Sequence, residues 1–123
     1  MKTILCVEDD AQLLGLYSRM LQDQGFAVLT AHSGESGLEV LRIAQVDLLI
    51  TDILMPDMDG VELIFHVLSL HPDLPILAIS GGGQYLSGSS LLKTVSLMGV
   101  QGTLLKPFSQ EALIATVFGV LGE

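Results

Sequence analysis

Five short apolar runs, each followed by a stretch with helical spacing, constrain this chain most. They are Thr3–Val7, Phe26–Ala31, Val46–Thr51, Ile76–Ile79 and Gly102–Leu105. The third is the clearest: it stops at Asp52, and Pro56, Asp57, Asp59 and Gly60 then break the pattern. Runs this short and continuous read as strands buried on both faces, as in a parallel sheet covered by helices. Five strands alternating with five helices specify a doubly wound α/β sheet, whose sites lie outside the carboxyl ends of the strands.

The helical stretches carry their own start and stop signals. Asp10 caps a first helix in which Leu13, Leu14, Tyr17, Met20 and Leu21 recur at helical spacing, and Gly25 stops it. Ser33 caps a second helix bearing Leu38, Val40 and Leu41, although Gly34 and Gly37 weaken it. Val61 to Leu70 reads as a third, ended by Pro72 and Pro75. Leu91 to Met98 reads as a fourth, its first turns lost in the Gly/Ser-rich patch that begins at Gly81. Ser109 caps a last helix through Leu121, with Leu113, Val117, Val120 and Leu121 on its buried side.

At 123 residues the chain reads as one domain, residues 1–123, large enough to bury a core without staples. Half of it is hydrophobic and 15% is charged, which excludes a disordered chain. A single Cys excludes an internal disulfide, and no stretch has the length of a membrane span or an export signal. The expected setting is therefore the cytoplasm, with no membrane partner. The net charge of −9 disfavours direct nucleic-acid binding, which needs Lys and Arg on phosphates. A cation or a basic protein surface fits better.

Four of the five strands end in a group suited to phosphate chemistry: Glu8 and Asp9, Asp52, Ser80, and Lys106. Strand ends of a parallel sheet share one edge, so these groups can converge. Two carboxylates ~4 Å apart repel by roughly 4 kcal/mol at an effective dielectric near 20, so the acids need a compensating cation. An all-oxygen set without His or Cys suits Mg²⁺. Lys106 offers a point charge and Ser80 a hydroxyl to phosphate oxygens. A carboxylate can itself be the nucleophile, and Asp52, at the centre of the set, is best placed.

As a set, Val7-Glu8-Asp9-Asp10, Thr51-Asp52 with Met55-Pro56-Asp57-Met58-Asp59-Gly60, Ser80, and Lys106-Pro107-Phe108 resemble the receiver domain of two-component response regulators. The resemblance covers the whole chain. It implies the flavodoxin-like strand order 2-1-3-4-5 and phosphorylation of Asp52 by a sensor histidine kinase or phosphotransfer protein. It makes Asp9 a direct Mg²⁺ ligand, Glu8 a mostly water-mediated one, and the Leu54 carbonyl a further one. It also implies a cis bond before Pro107, an output domain or effector as partner, and a homodimer as one further arrangement. Such a domain is not an enzyme beyond its own phosphoryl transfer and dephosphorylation.

Three positions depart from that pattern. Thr103 stands where the family usually has an aromatic switch, Gly81 opens a run of three glycines after Ser80, and Leu54 is apolar where polar residues are frequent. Tyr85, in the Gly/Ser patch, is a candidate replacement for the missing aromatic. The rival reading is a pseudo-receiver that keeps the fold and signals by protein contact without phosphate. A phosphatase with an Asp nucleophile would want an acid at Leu54, and a P-loop would want Lys at Ser89. Cys6 reads as a buried inert thiol, and His32, His66 and His71 share no ligand spacing.

Overall fold

The computed structural model describes residues 1–55, 58–81 and 88–122, with side chains for all of these except 88–92. Five strands and five helices alternate: β1 Thr3–Val7, α1 Ala11–Gln22, β2 Ala27–Ala31, α2 Gly34–Ile43, β3 Leu48–Asp52, α3 Gly60–Leu70, β4 Ile76–Gly81, α4 Gly88–Leu97, β5 Gly102–Lys106 and α5 Gln110–Leu121. All strand pairs are parallel and the order is β2-β1-β3-β4-β5, the doubly wound, flavodoxin-like arrangement.

The strands read as unbroken apolar runs because helices cover both faces of the sheet. Along β1, Ile4 and Cys6 join Leu14, Leu21, Leu113 and Val117 on the α1–α5 face. Leu5 and Val7 turn the other way, onto Leu41, Leu63, Ile64, Val67 and Val95 of α2, α3 and α4. That is the two-residue period of a strand, with a core on either side.

The helix starts follow their caps. The Asp10 carboxylate accepts from the amides of Gln12 and Leu13, Ser33 and Ser36 form a reciprocal capping box, Asp59 accepts from Glu62 N, and Ser109 from Ala112 N. Two element starts differ from the sequence reading by more than one residue. α4 begins at Gly88 rather than Leu91, so the poor helix formers Gly88, Ser89 and Ser90 are helical where propensity alone places a loop. β3 begins at Leu48 rather than Val46; just before it, Asp47 N donates to the Thr3 carbonyl at 2.8 Å and the Asp47 side chain accepts from Thr3 N at 2.8 Å, so a side chain replaces one main-chain partner at that end.

Candidate functional site

From β1 the sheet extends to β2 on one side and to β3, β4 and β5 on the other. Such a reversal opens a crevice at the carboxyl ends of the central strands. Val7 is in register with Thr51, so Glu8 and Asp52 leave the sheet side by side at that crevice. Asp52 is in register with Ile79, and Ile79 with Leu104. Lys106, two residues past Leu104, returns to the same side of the sheet and reaches back over it.

The lysine closes the site. Its Nζ donates to Asp52 Oδ2 at 2.6 Å and to Glu8 Oε1 at 3.3 Å. Asp52 Oδ1 accepts from Leu54 N at 3.1 Å, which aims the carboxylate. Glu8, Asp9 and Asp52 each place a carboxylate oxygen within 4.8 Å of the others, a group able to bind a metal ion. Glu8 and Asp52 are buried, Asp9 is exposed, and Glu8 Oε2 has no hydrogen-bond partner among the described residues. The Lys106–Pro107 peptide bond is cis.

The charges act on one another through poorly hydrated space. Burial, and then the Asp52 carboxylate beside it, push Glu8 up to about 8, with Lys106 pulling the other way. Burial alone would lower Lys106, but the Asp52 and Glu8 carboxylates outweigh it and hold the ammonium above its ordinary value. Among the described residues three acids meet one cation here, and the surplus is negative.

The family model of the response regulator receiver domain matches residues 4–118. This chain belongs to that family. Over 98% of its length the domain is 32% identical to the transcriptional regulatory protein CpxR of Escherichia coli, covering 50% of that protein. Over 93% it is 33% identical to the transcriptional regulatory protein GlrR of the same organism, covering 25%. The chain therefore spans half or less of the length of these relatives. Its fold superposes on the chemotaxis response regulator CheY4 of Vibrio cholerae with a TM-score of 0.84, 32% identity and 98% of each chain covered.

Within this receiver domain, the other residues singled out from sequence fall in several places. Ser80 is fully buried at the end of β4, and its hydroxyl donates to the Gly81 carbonyl at 3.3 Å. It is in register with Leu105, one step out of phase with the row that holds Asp52. Thr103 is half-buried and in register with Ala78, on the same side of the sheet as Ser80. The Leu54 side chain is 45% exposed beside the acids. Tyr85 and Asp57 lie outside the described residues. Asp10 and Asp59 are occupied as helix caps, and burial pushes the Cys6 thiol up to about 12.

Two residues of the resemblance motif, Gly60 and Thr51, support the site in ways the sequence reading does not assign. Gly60 N donates to the Ile53 carbonyl at 2.7 Å, and a Cβ at Gly60 would collide with the Asp52 carbonyl oxygen and the Ile53 Cα. Only a hydrogen fits there, so Gly60 lets α3 close against the end of β3. The buried Thr51 hydroxyl donates to the Asp52 carbonyl at 2.9 Å, satisfying the main chain where the ladder ends. In the sequence Gly60 is legible as a pattern breaker and both residues are legible as members of the motif, but neither the close approach nor the hydroxyl's partner shows there.

Proposed function

We propose that this receiver domain accepts a phosphoryl group on Asp52 from a sensor histidine kinase or a histidine phosphotransfer protein, in a Mg²⁺-dependent reaction, and thereby switches a protein-interaction surface. The observation that carries this reading is the Lys106 ammonium 2.6 Å from Oδ2 of a buried Asp52, with Glu8 and Asp9 converging on the same point.

The donor set fits Mg²⁺. Its atoms are all oxygens, no His or Cys joins the group, and Glu8 Oε2 is buried and unpartnered among the described residues. Glu8, Asp9, Asp52 and the Leu54 main-chain carbonyl would hold the ion. Bound there, it would supply positive charge against the crowded carboxylates and the phosphoryl oxygens.

Asp52 supplies the nucleophile. One carboxylate oxygen bonds to phosphorus as the bond from phosphorus to the donor's imidazole nitrogen breaks, and that nitrogen takes up a proton from water. With acetyl phosphate the bond that breaks is P–O, and acetate leaves. Lys106 is already in contact with the attacking carboxylate and pairs with a phosphoryl oxygen as charge moves onto it. Ser80 rotates from the Gly81 carbonyl and donates to another. Little covalent chemistry falls to the protein, so its part is positioning and electrostatics.

Ser80, Thr103 and Tyr85 are the residues through which a switch would pass. The output partner is an effector or an attached output domain, in line with the regulators the domain resembles, or a second copy of the chain as a homodimer. Among the described residues no helix is long and apolar enough to cross a membrane. Action in the cytoplasm without direct nucleic-acid contact fits the acidic composition. Beryllofluoride, a phosphoryl mimic, tests the site. With Mg²⁺ it should fill one saturable site on the wild type and none on Asp52→Ala; saturable binding to Asp52→Ala would place the acceptor elsewhere.

A further inference from the structure

Lys106 closes β5, and three residues later Ser109 caps α5. Of the residues between, Pro107 is exposed, and only Phe108 packs into the core on the α1–α5 face. Its ring stacks on Tyr17, with centroids 5.6 Å apart and planes inclined at 28°. Tyr17 is 5% exposed and lies on α1, the helix that follows directly on Glu8, Asp9 and Asp10. The stack therefore joins the helix behind two of the acids to the turn that carries the lysine.

Simple burial does not require an aromatic here, since the other buried positions of α1 are Leu14 and Leu21. An offset aromatic pair adds what an aliphatic cannot, a preferred relative orientation of two rigid rings. The lysine needs such restraint. Its stem is flexible, and a small shift of the turn would lift Nζ off Asp52 while leaving the fold intact. The Tyr17 phenol also lies close enough to the site to respond to it. Burial first pushes it up to about 12, Lys106 opposes that, and the carboxylates of Glu8, Asp52 and Asp10 add to it. It stays neutral and brings no charge of its own.

We propose that Tyr17 is a positioning residue for phosphoryl transfer: through its stack on Phe108 it fixes the turn that holds Lys106 Nζ against Asp52 Oδ2. The inference rests on Asp52 as the phosphoacceptor.

The test follows the rate of Asp52 modification by acetyl phosphate with saturating Mg²⁺, in the wild type, Tyr17→Phe, Tyr17→Leu and Phe108→Leu. Tyr17→Leu should slow the maximal rate roughly 10-fold, inside the roughly 100-fold that a misplacement of about 1 Å can cost. Phe108→Leu should slow it similarly, and Tyr17→Phe, which keeps the stack, should stay within about twofold of wild type. Mg²⁺ affinity, set by the acids, should not move. In a Lys106→Ala background, Tyr17→Leu should add no further loss, because residues acting through one another are non-additive. A wild type that takes no phosphoryl group sinks the reading of the site and this inference with it. A modifiable wild type matched by both Leu variants, or a full added loss in the Lys106→Ala background, overturns this inference alone. If Tyr17→Leu does not fold, Phe108→Leu decides the matter from the other side of the stack.

Discussion

β3 and β5 deliver opposite charges to one site from very different settings. β3 runs between β1 and β4, and all five of its residues are buried. β5 is an edge strand without a fully buried residue, and its Leu105 is 43% exposed. Asp52 is thus fixed by packing on both faces, by Leu54 N, and by the close approach of Gly60. Lys106 is fixed by the two carboxylates it pairs with and by the turn that Phe108 anchors. The nucleophile belongs to the core, and the cation that serves it belongs to the rim. Substitutions on β3 should damage fold and chemistry together, while substitutions on β5 should separate them.

The largest expected effect lies in the chemistry. Lys106→Ala should slow phosphorylation by acetyl phosphate about 100- to 1000-fold, the usual cost of removing one preorganised charge-stabilising group. It should do so with nearly native urea stability in saturating Mg²⁺, where the ion would take over as the cation the crowded carboxylates need. Equal losses of rate and of stability would mean that the lysine is a structural cation and that the contrast with β3 is false.

Next come the strands themselves. Ile50→Ala, inside β3, should cost about 2–5 kcal/mol, the range for truncating a buried aliphatic. Leu105→Ala on β5 should cost well under half of that, since its side chain already meets water. Urea denaturation of the two variants measures the difference directly, and similar losses would show β5 to be as deeply anchored as β3.

A pH effect of intermediate size follows from Glu8. Its ordinary value is 4.5, and in the folded, metal-free domain it is pushed up to about 8. Between those values the folded state binds a proton that the unfolded state does not, so stability falls as pH rises. The contribution is whole below about pH 4.5 and gone above about pH 8. Thermal midpoints in EDTA should therefore decline across that window in the wild type, relative to Glu8→Gln. Asp52→Asn should shrink the decline, because Asp52 is the second cause of the rise. Parallel curves for wild type and Glu8→Gln would mean that Glu8 is ionised and solvated in the folded state.

The smallest expected effect concerns the metal-bound domain. Mg²⁺ at 100 times its dissociation constant should stabilise the wild type by about 2.7 kcal/mol. Asp9→Asn should lose most of that gain with little change in EDTA, because Asp9 is exposed. A large loss of stability in EDTA would give Asp9 a structural role instead.

The sequence exposed most of this because α/β strand ends carry their chemistry in plain sight. Asp52 and Lys106 interrupt apolar runs, and Asp10, Ser33 and Ser109 stand where helices must be capped. What stayed hidden depends on distance through space. A loop acid and a buried one look alike in a sequence, so the near-complete burial of Glu8, with one oxygen unpartnered among the described residues, emerges only once β1 and β3 pair. Gly60 reads as a turn until the Asp52 carbonyl is seen against it. Tyr17 reads as one more apolar position of α1 until Phe108, far along the chain, is found on its face. The early start of α4 does not show in the sequence, because Gly88, Ser89 and Ser90 are weak helix formers.

The most direct test is the intact mass of the wild type and Asp52→Ala after incubation with acetyl phosphate, with Mg²⁺ and with EDTA. One phosphoryl group should appear on the wild type with Mg²⁺ and should be absent in EDTA and in Asp52→Ala. The same gain in Asp52→Ala, or none in the wild type with Mg²⁺, would contradict the assignment of Asp52 as the acceptor.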